Sequence, residues 1–226
     1  MPLQDLDNAA ERLAGIRSRI ASAQRRFGPP PEHVELVAVS KTFDSSAIRP
    51  FLDAGQRMFG ENRVQEANDK WPELRASYDG IELHLIGPLQ TNKAREAVAL
   101  FDVIQTVDRD KLAGVLAEEM ARAGRRLPVF IQVNIGGEAQ KSGIAPAEAV
   151  AFVGRCRAAH GLEVIGLMCI PPDGDPPGPY FAHLASLARD SGVEKLSMGM
   201  SSDFEVAIAM GATHVRVGSA LFGTRG

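Results

Sequence analysis

The stretch LPVFIQVNIGGEAQKSGIAPAEAVAFVGRCRAAHGLEVIGLMCI, residues 127–170, decides the fold. Residues 127–134 and 161–170 are almost continuous apolar runs, and 146–159 reads as a helix between them. A strand that is apolar on both faces belongs to a parallel sheet covered by helices. Parallel strands also need a crossover of a dozen residues or more, which a helix supplies. The polar, glycine-bounded EAQKSGI (138–144) is a loop able to lie over the end of such a sheet as a lid.

Outward from this unit the alternation continues. Strand runs are expected at 34–40, 56–60, 81–87, 101–107, 194–199 and 213–219. Helices are expected at 44–54, 62–76, 90–99, 108–123, 178–191 and 201–210. About eight strand–helix units in 226 residues predict a (β/α)8 TIM barrel. A doubly wound open sheet is the alternative, but no GxGxxG follows any strand and eight units are many for one open sheet. Leu3, Leu6, Ala9, Ala10, Leu13, Ile16 and Ile20 recur at helical spacing and predict an extra N-terminal helix, set off by the breakers Gly28 to Pro31. The proline-rich PPDGDPPGP (171–179) is a surface loop, and one domain over 1–226 is expected.

Composition narrows the classes of function. With 25 Lys+Arg and 28 Asp+Glu the net charge is −3, so no basic excess exists for a nucleic-acid backbone. No apolar run approaches the roughly 20 residues that span a bilayer, and MPLQDLDNAAERLAG lacks the apolar core of a signal peptide. Cys156 and Cys169 are too few for a disulfide framework, so a cytoplasmic protein is expected, with neither nucleic acid nor membrane as a partner. The five histidines make no HxH or HExxH, so no metal site is expected; Walker A and GxSxG are absent as well. Cys169, His84 and His214 lie in strands and read as core.

In a barrel, function gathers in the loops after the strand C-termini. Lys41 follows the first strand, Asn62 the second and Pro88-Leu89-Gln90 the third. Asn134 and Met168 lie at the ends of the fifth and sixth, Ser201 and Ser202 after the seventh, and Arg216, Gly218 and Ser219 finish the eighth. A partly desolvated Lys41 favours the neutral amine, which can attack an aldehyde. The plainer reading is a snorkelling lysine at a strand end. Ser201 and Ser202 read either as helix caps or, with Gly218-Ser219, as a phosphate site. Asn62 reads as an N-cap, and Glu61 and Arg63 as a solvated face or a structural ion pair. Arg216 shares a face with Gly218 and needs an acceptor, either a carboxylate such as Glu163 or a ligand atom.

Taken together, VSKT (39–42), GENRVQE (60–66), HLIGPLQTNK (84–93), IQVN (131–134), KSG (141–143), GLM (166–168), LSMGMSSD (196–203) and VRVGSALFG (215–223) resemble the pyridoxal phosphate homeostasis protein family. They run in that family's order over nearly the whole chain. The resemblance implies a fold similar to the N-terminal barrel of alanine racemase, with pyridoxal 5′-phosphate as cofactor. Lys41 then matches the lysine that forms the Schiff base. Asn62 lies near the ring, Ser201 contacts the phosphate, Arg216 faces the pyridine nitrogen, and Gly218 and Ser219 supply phosphate-binding backbone. The second lysine that the family often carries after the first is replaced here by Phe43. The implied role is a carrier of the cofactor in vitamin B6 homeostasis, a monomer that passes it to apo-enzymes, rather than an enzyme. The alternative is an amino-acid racemase of low activity, which needs a second acid–base group. In the racemase that group is a tyrosine from a separate C-terminal β domain and the partner subunit. Here only Tyr78 and Tyr180 exist, neither in a motif, and no residues are expected to remain for such a domain.

Overall fold

The structure, a computed structural model, describes residues 3–27 and 33–223. The expected alternation is realised in full. Strand β1 (Glu35–Val39) leads to helix α2 (Ser45–Asp53), β2 (Met58–Glu61) to α3 (Val64–Ser77), and β3 (Glu82–Leu85) to α4 (Ala94–Leu100) through a 3-10 turn at Thr91–Lys93. Then come β4 (Val103–Val107) and α5 (Asp110–Ala123), β5 (Val129–Val133) and α6 (Ala149–Ala158), β6 (Val164–Cys169) and α7 (Gly178–Asp190), β7 (Lys195–Ser197) and α8 (Phe204–Ala209), and β8 (His214–Val217) and α9 (Ser219–Phe222). All eight strands pair in parallel and in sequence order, and β8 returns to β1 with Glu35 opposite His214. The sheet is a closed barrel, so the open-sheet alternative falls. Closure leaves no edge strand to protect.

Strand alternation sorts the barrel residues into two layers. Outward-facing Leu36, Phe59, Leu83, Ile131, Leu167 and Val215 join the helices in the main core. Inside the barrel, Val103, Phe130 and Met168 make a small apolar cluster of their own. Met168 is therefore packing at the barrel centre and not part of the mouth.

The extra helix, α1 (Leu3–Phe27), closes a gap in the helical ring. The ring's last member, α9, is only Ser219–Phe222, too short to cover its sector. Helix α1 packs against α8, α2 and α9 and buries Ala9, Leu13, Ile16, Ile20 and Ala23 there. Ala10, expected on that stripe, is exposed. The side chains of Leu3 and Leu6, and the Gly28 to Pro31 breaker, lie outside the described residues. Arg19 fastens α1 to α8 by pairing with Glu205 at 3.0 Å while its guanidinium lies over Phe204.

Candidate functional site

At the C-terminal mouth of the barrel lies a cleft of about 750 Å³. Its wall includes Lys41, Asn62, Ser201, Arg216, Gly218 and Ser219, residues contributed by the loops or ends of four strands. The six residues that the resemblance assigns to the cofactor therefore line one space.

Lys41 is half-buried at the end of β1 and is held by the chain on either side of it. Thr42 has φ 69°, a left-handed conformation rare for a β-branched residue. The Glu66 carboxylate accepts from the Thr42 N–H and keeps it there. Beneath the loop, the Lys70 ammonium donates to the carbonyls of Ser40 (3.0 Å) and Phe43 (2.9 Å) and pairs with Glu61 and Glu66, each at 2.9 Å. Glu61 also accepts from Ser40 Oγ at 2.6 Å and Trp71 Nε1 at 3.1 Å. Burial pushes the Glu61 carboxyl up, and Lys70 and these donors oppose the rise. Glu61 is thus a structural ion-pair member under the Lys41 loop, and Lys70 is its partner. Lys70 carried no motif; only its i+4 spacing from Glu66 hinted at a role.

Two expected helix caps are replaced. Asn62 precedes α3, whose N-cap is Arg63 with no side-chain bond. Ser201 does not cap α8 either: its Oγ accepts from the Gly218 N–H at 3.4 Å, joining the loops after β7 and β8. Asp203 stands at the N-cap of α8 and instead accepts from the Met200 N–H at 2.6 Å. Gly199 permits this turn, with φ +91° and a site where a Cβ would lie 2.5 Å from the Ala207 Cβ. The result is a stretch of cleft wall that carries Ser201 and Ser202 beside Gly218 and Ser219.

Arg216 is buried at the barrel top. Nη1 donates to Ser197 Oγ and Nη2 to the Cys169 carbonyl, both at 2.8 Å. Among the described residues no carboxylate pairs with it; Glu163 is exposed and is not the acceptor. Burial lowers its pKa. Cys169 lends only its carbonyl, and burial pushes its thiol up to about 12.

The 138–144 loop does lie along the cleft. Asn134 Nδ2 donates to the carbonyls of Glu138 (2.8 Å) and Lys141 (3.2 Å), so Asn134 shapes the loop rather than the ligand space. Gln132 Nε2 donates to the Ser142 carbonyl at 3.1 Å, which leaves its buried Oε1 without a partner on the cleft wall. Gln132 went unremarked in the sequence because a glutamine inside IQVN is ordinary strand polarity. The cluster Gln90, Asn92 and Lys93 is not on the wall; Lys93 pairs with Glu96 on the surface. No group of His, Cys, Asp and Glu suited to a metal exists among the described residues. None of the described helices is long and apolar enough to cross a membrane.

Comparison with known proteins adds an independent line. Residues 12–226 match the family described as alanine racemase, N-terminal domain. The chain is 42% identical to the pyridoxal phosphate homeostasis protein of Pseudomonas aeruginosa, covering 97% of both chains. It is 40% identical to the Escherichia coli K12 protein of the same name, over 97% of this chain and 98% of that one. A solved structure of PipY from Synechococcus elongatus with PLP bound superposes with a TM-score of 0.82 at 39% identity, over 95% of this chain and all of that one. Identity of this order over nearly the full length of both chains is more than a shared fold requires: the chain belongs to the pyridoxal phosphate homeostasis protein family.

Proposed function

We propose that this protein binds pyridoxal 5′-phosphate in the C-terminal cleft, attached covalently through Lys41 Nζ, and serves as a carrier in vitamin B6 homeostasis. The observation that carries this reading is the convergence of Lys41, Arg216 and the Ser201–Gly218 junction on one cleft. The residues fit the group. Hydroxyls of Ser201 and Ser219 and the backbone about Gly218 suit a phosphate. A Cβ on Gly218 would come within 3.3 Å of the Val39 Cβ, so the absence of a side chain keeps that corner open. Arg216, a buried cation without a carboxylate, suits an aromatic nitrogen lone pair, and Asn62 borders the ring position. When bound, the cofactor supplies an aldehyde that a lysine can hold in reserve.

The same residues favour storage over turnover. Arg216 keeps a facing pyridine nitrogen unprotonated and so weakens the electron sink. Racemisation then needs a second acid–base group opposite Lys41. Tyr78 donates to Asp53 and Tyr180 to Asp175, each at 2.7 Å, and neither lines the cleft. Apart from Lys41 and Arg216, the titratable side chain on the wall is Lys141, and its ammonium is held by Glu138 at 2.5 Å and the Pro171 carbonyl at 2.8 Å. A monomer with an open mouth suits release to apo-enzymes, and two buried free thiols suit a reducing cytoplasm.

Visible absorption with and without added pyridoxal phosphate tests the reading. Wild type gains a yellow band, Lys41→Ala does not, and borohydride followed by peptide mass mapping places the adduct on Lys41. A wild-type protein that stays colourless in excess cofactor refutes it.

A further inference from the structure

Inside the barrel, five polar side chains form one continuous hydrogen-bonded line. Arg216 Nη1 donates to Ser197 Oγ at 2.8 Å. The Ser197 hydroxyl lies 2.5 Å from Gln105 Oε1. Gln105 Nε2 lies 2.7 Å from His84 Nδ1, and His84 Nε2 lies 2.8 Å from Glu82 Oε1. Ser197, Gln105 and His84 are wholly buried. Glu82 is half-exposed at the start of β3, where it lines a second cavity with Glu35 and Met58 from the starts of β1 and β2. The line therefore crosses the barrel from the C-terminal cleft to the opposite mouth.

Its direction is dictated by its ends. A guanidinium can only donate and a carboxylate can only accept. Having accepted from Arg216, the Ser197 hydroxyl gives its own proton to Gln105 Oε1. The Gln105 amide nitrogen then faces His84, and since it only donates, Nδ1 must be bare. The His84 proton lies on Nε2, aimed at Glu82. Turning the amide over would put two donors on Ser197 and strand its hydroxyl proton in a buried site.

We propose that Ser197, Gln105, His84 and Glu82 are positioning residues for Arg216. The one-way line anchors the guanidinium on a carboxylate at the far mouth and fixes which of its N–H groups face the cleft. Neither the carrier reading nor the family resemblance assigns these residues a role. The inference rests on the carrier reading for what Arg216 faces, but not for the line itself.

The first measurement uses protein without cofactor. In uniformly labelled protein, long-range proton–nitrogen correlation is expected to show His84 as the Nε2–H tautomer. In Gln105→Glu the new carboxylate cannot donate, so Nδ1 must carry a proton and both His84 nitrogens read as protonated. The second measurement loads the cofactor. Ser197→Ala and Gln105→Glu are expected to shift the visible band and weaken cofactor retention about ten- to a hundred-fold, the range for a lost hydrogen bond to a charged group. Ser197→Thr, which keeps the hydroxyl, is expected to restore both. A wild-type Nδ1–H tautomer overturns the proposal. So do correctly folded Ser197→Ala and Gln105→Glu proteins whose band and retention match wild type, because a purely structural role would change only the melting temperature. Wild type that takes up no cofactor sinks the carrier reading instead, and the tautomer then decides the line alone.

Discussion

His214 shows how a single residue registers the barrel interior. Its ring lies edge-on to Phe130 at 5.3 Å and 6.0 Å from the His84 ring, and Nδ1 is 2.8 Å from Thr213 Oγ1. Burial is the largest cause holding its pKa down to about 3, helped by His84, Lys195 and Arg216 and opposed by Glu82. In the unfolded chain it titrates near its ordinary value of 6.5. The stability tied to its neutral form is therefore complete above about pH 6.5. It is lost as pH falls toward 3, because the unfolded chain takes up a proton that the fold refuses. The loss is about 1.4 kcal/mol per pH unit, or about 2 kcal/mol between pH 6.5 and 5. Urea unfolding at the two pH values is expected to show that extra loss in wild type and not in His214→Leu. Equal losses in both proteins would mean that the ring is not the source. The strand position of His214 was legible in HVRV, but its neutrality follows from neighbours on other strands.

At the scale of elements, the loop after β1 and the helix α3 act as one unit. Lys70 reaches from α3 to the carbonyls on either side of Lys41, while Glu61 at the end of β2 neutralises it in a site where the two side chains are 7% and 0% exposed. Removing one member of such a pair leaves an uncompensated buried charge, which costs roughly 3–5 kcal/mol. Lys70→Met is expected to lose that much in urea unfolding. The double variant Lys70→Met with Glu61→Gln should recover part of it, since no charge then stays buried alone. If the double variant is no more stable than Lys70→Met, the charge pair is not what holds the loop. The sequence offered Glu61 either as part of a solvated face or as a member of a structural ion pair. It did not point to Lys70, because one lysine among charged residues on a helix looks like a solvated face.

For the whole molecule, the question is how a barrel whose last helix is one turn long stays closed. Helix α1 answers it by packing across α8, α2 and α9. Leu13 is the largest fully buried α1 side chain. Leu13→Ala is expected to destabilise the protein by about 2–5 kcal/mol, with a matching fall in melting temperature. A change below about 0.5 kcal/mol would show that α1 is an appendage and that the barrel closes without it.

By itself the sequence determined the barrel and its strand order, which are written in local periodicity, and parallel strands joined by helices admit few arrangements. Position after a strand gave a wider set of mouth residues, and the family resemblance narrowed it to the six that line the cleft. Only the tertiary structure decided what each of those residues touches. Ser201 turned from a cap into a tie to Gly218, Glu163 lost its claim on Arg216, and Gln105 came within 2.5 Å of Ser197, 92 positions away. Periodicity tells which face of a strand a side chain occupies. It does not tell which side chain meets it across the barrel, because that depends on closure and on the stagger between strands, to which distant segments contribute at once.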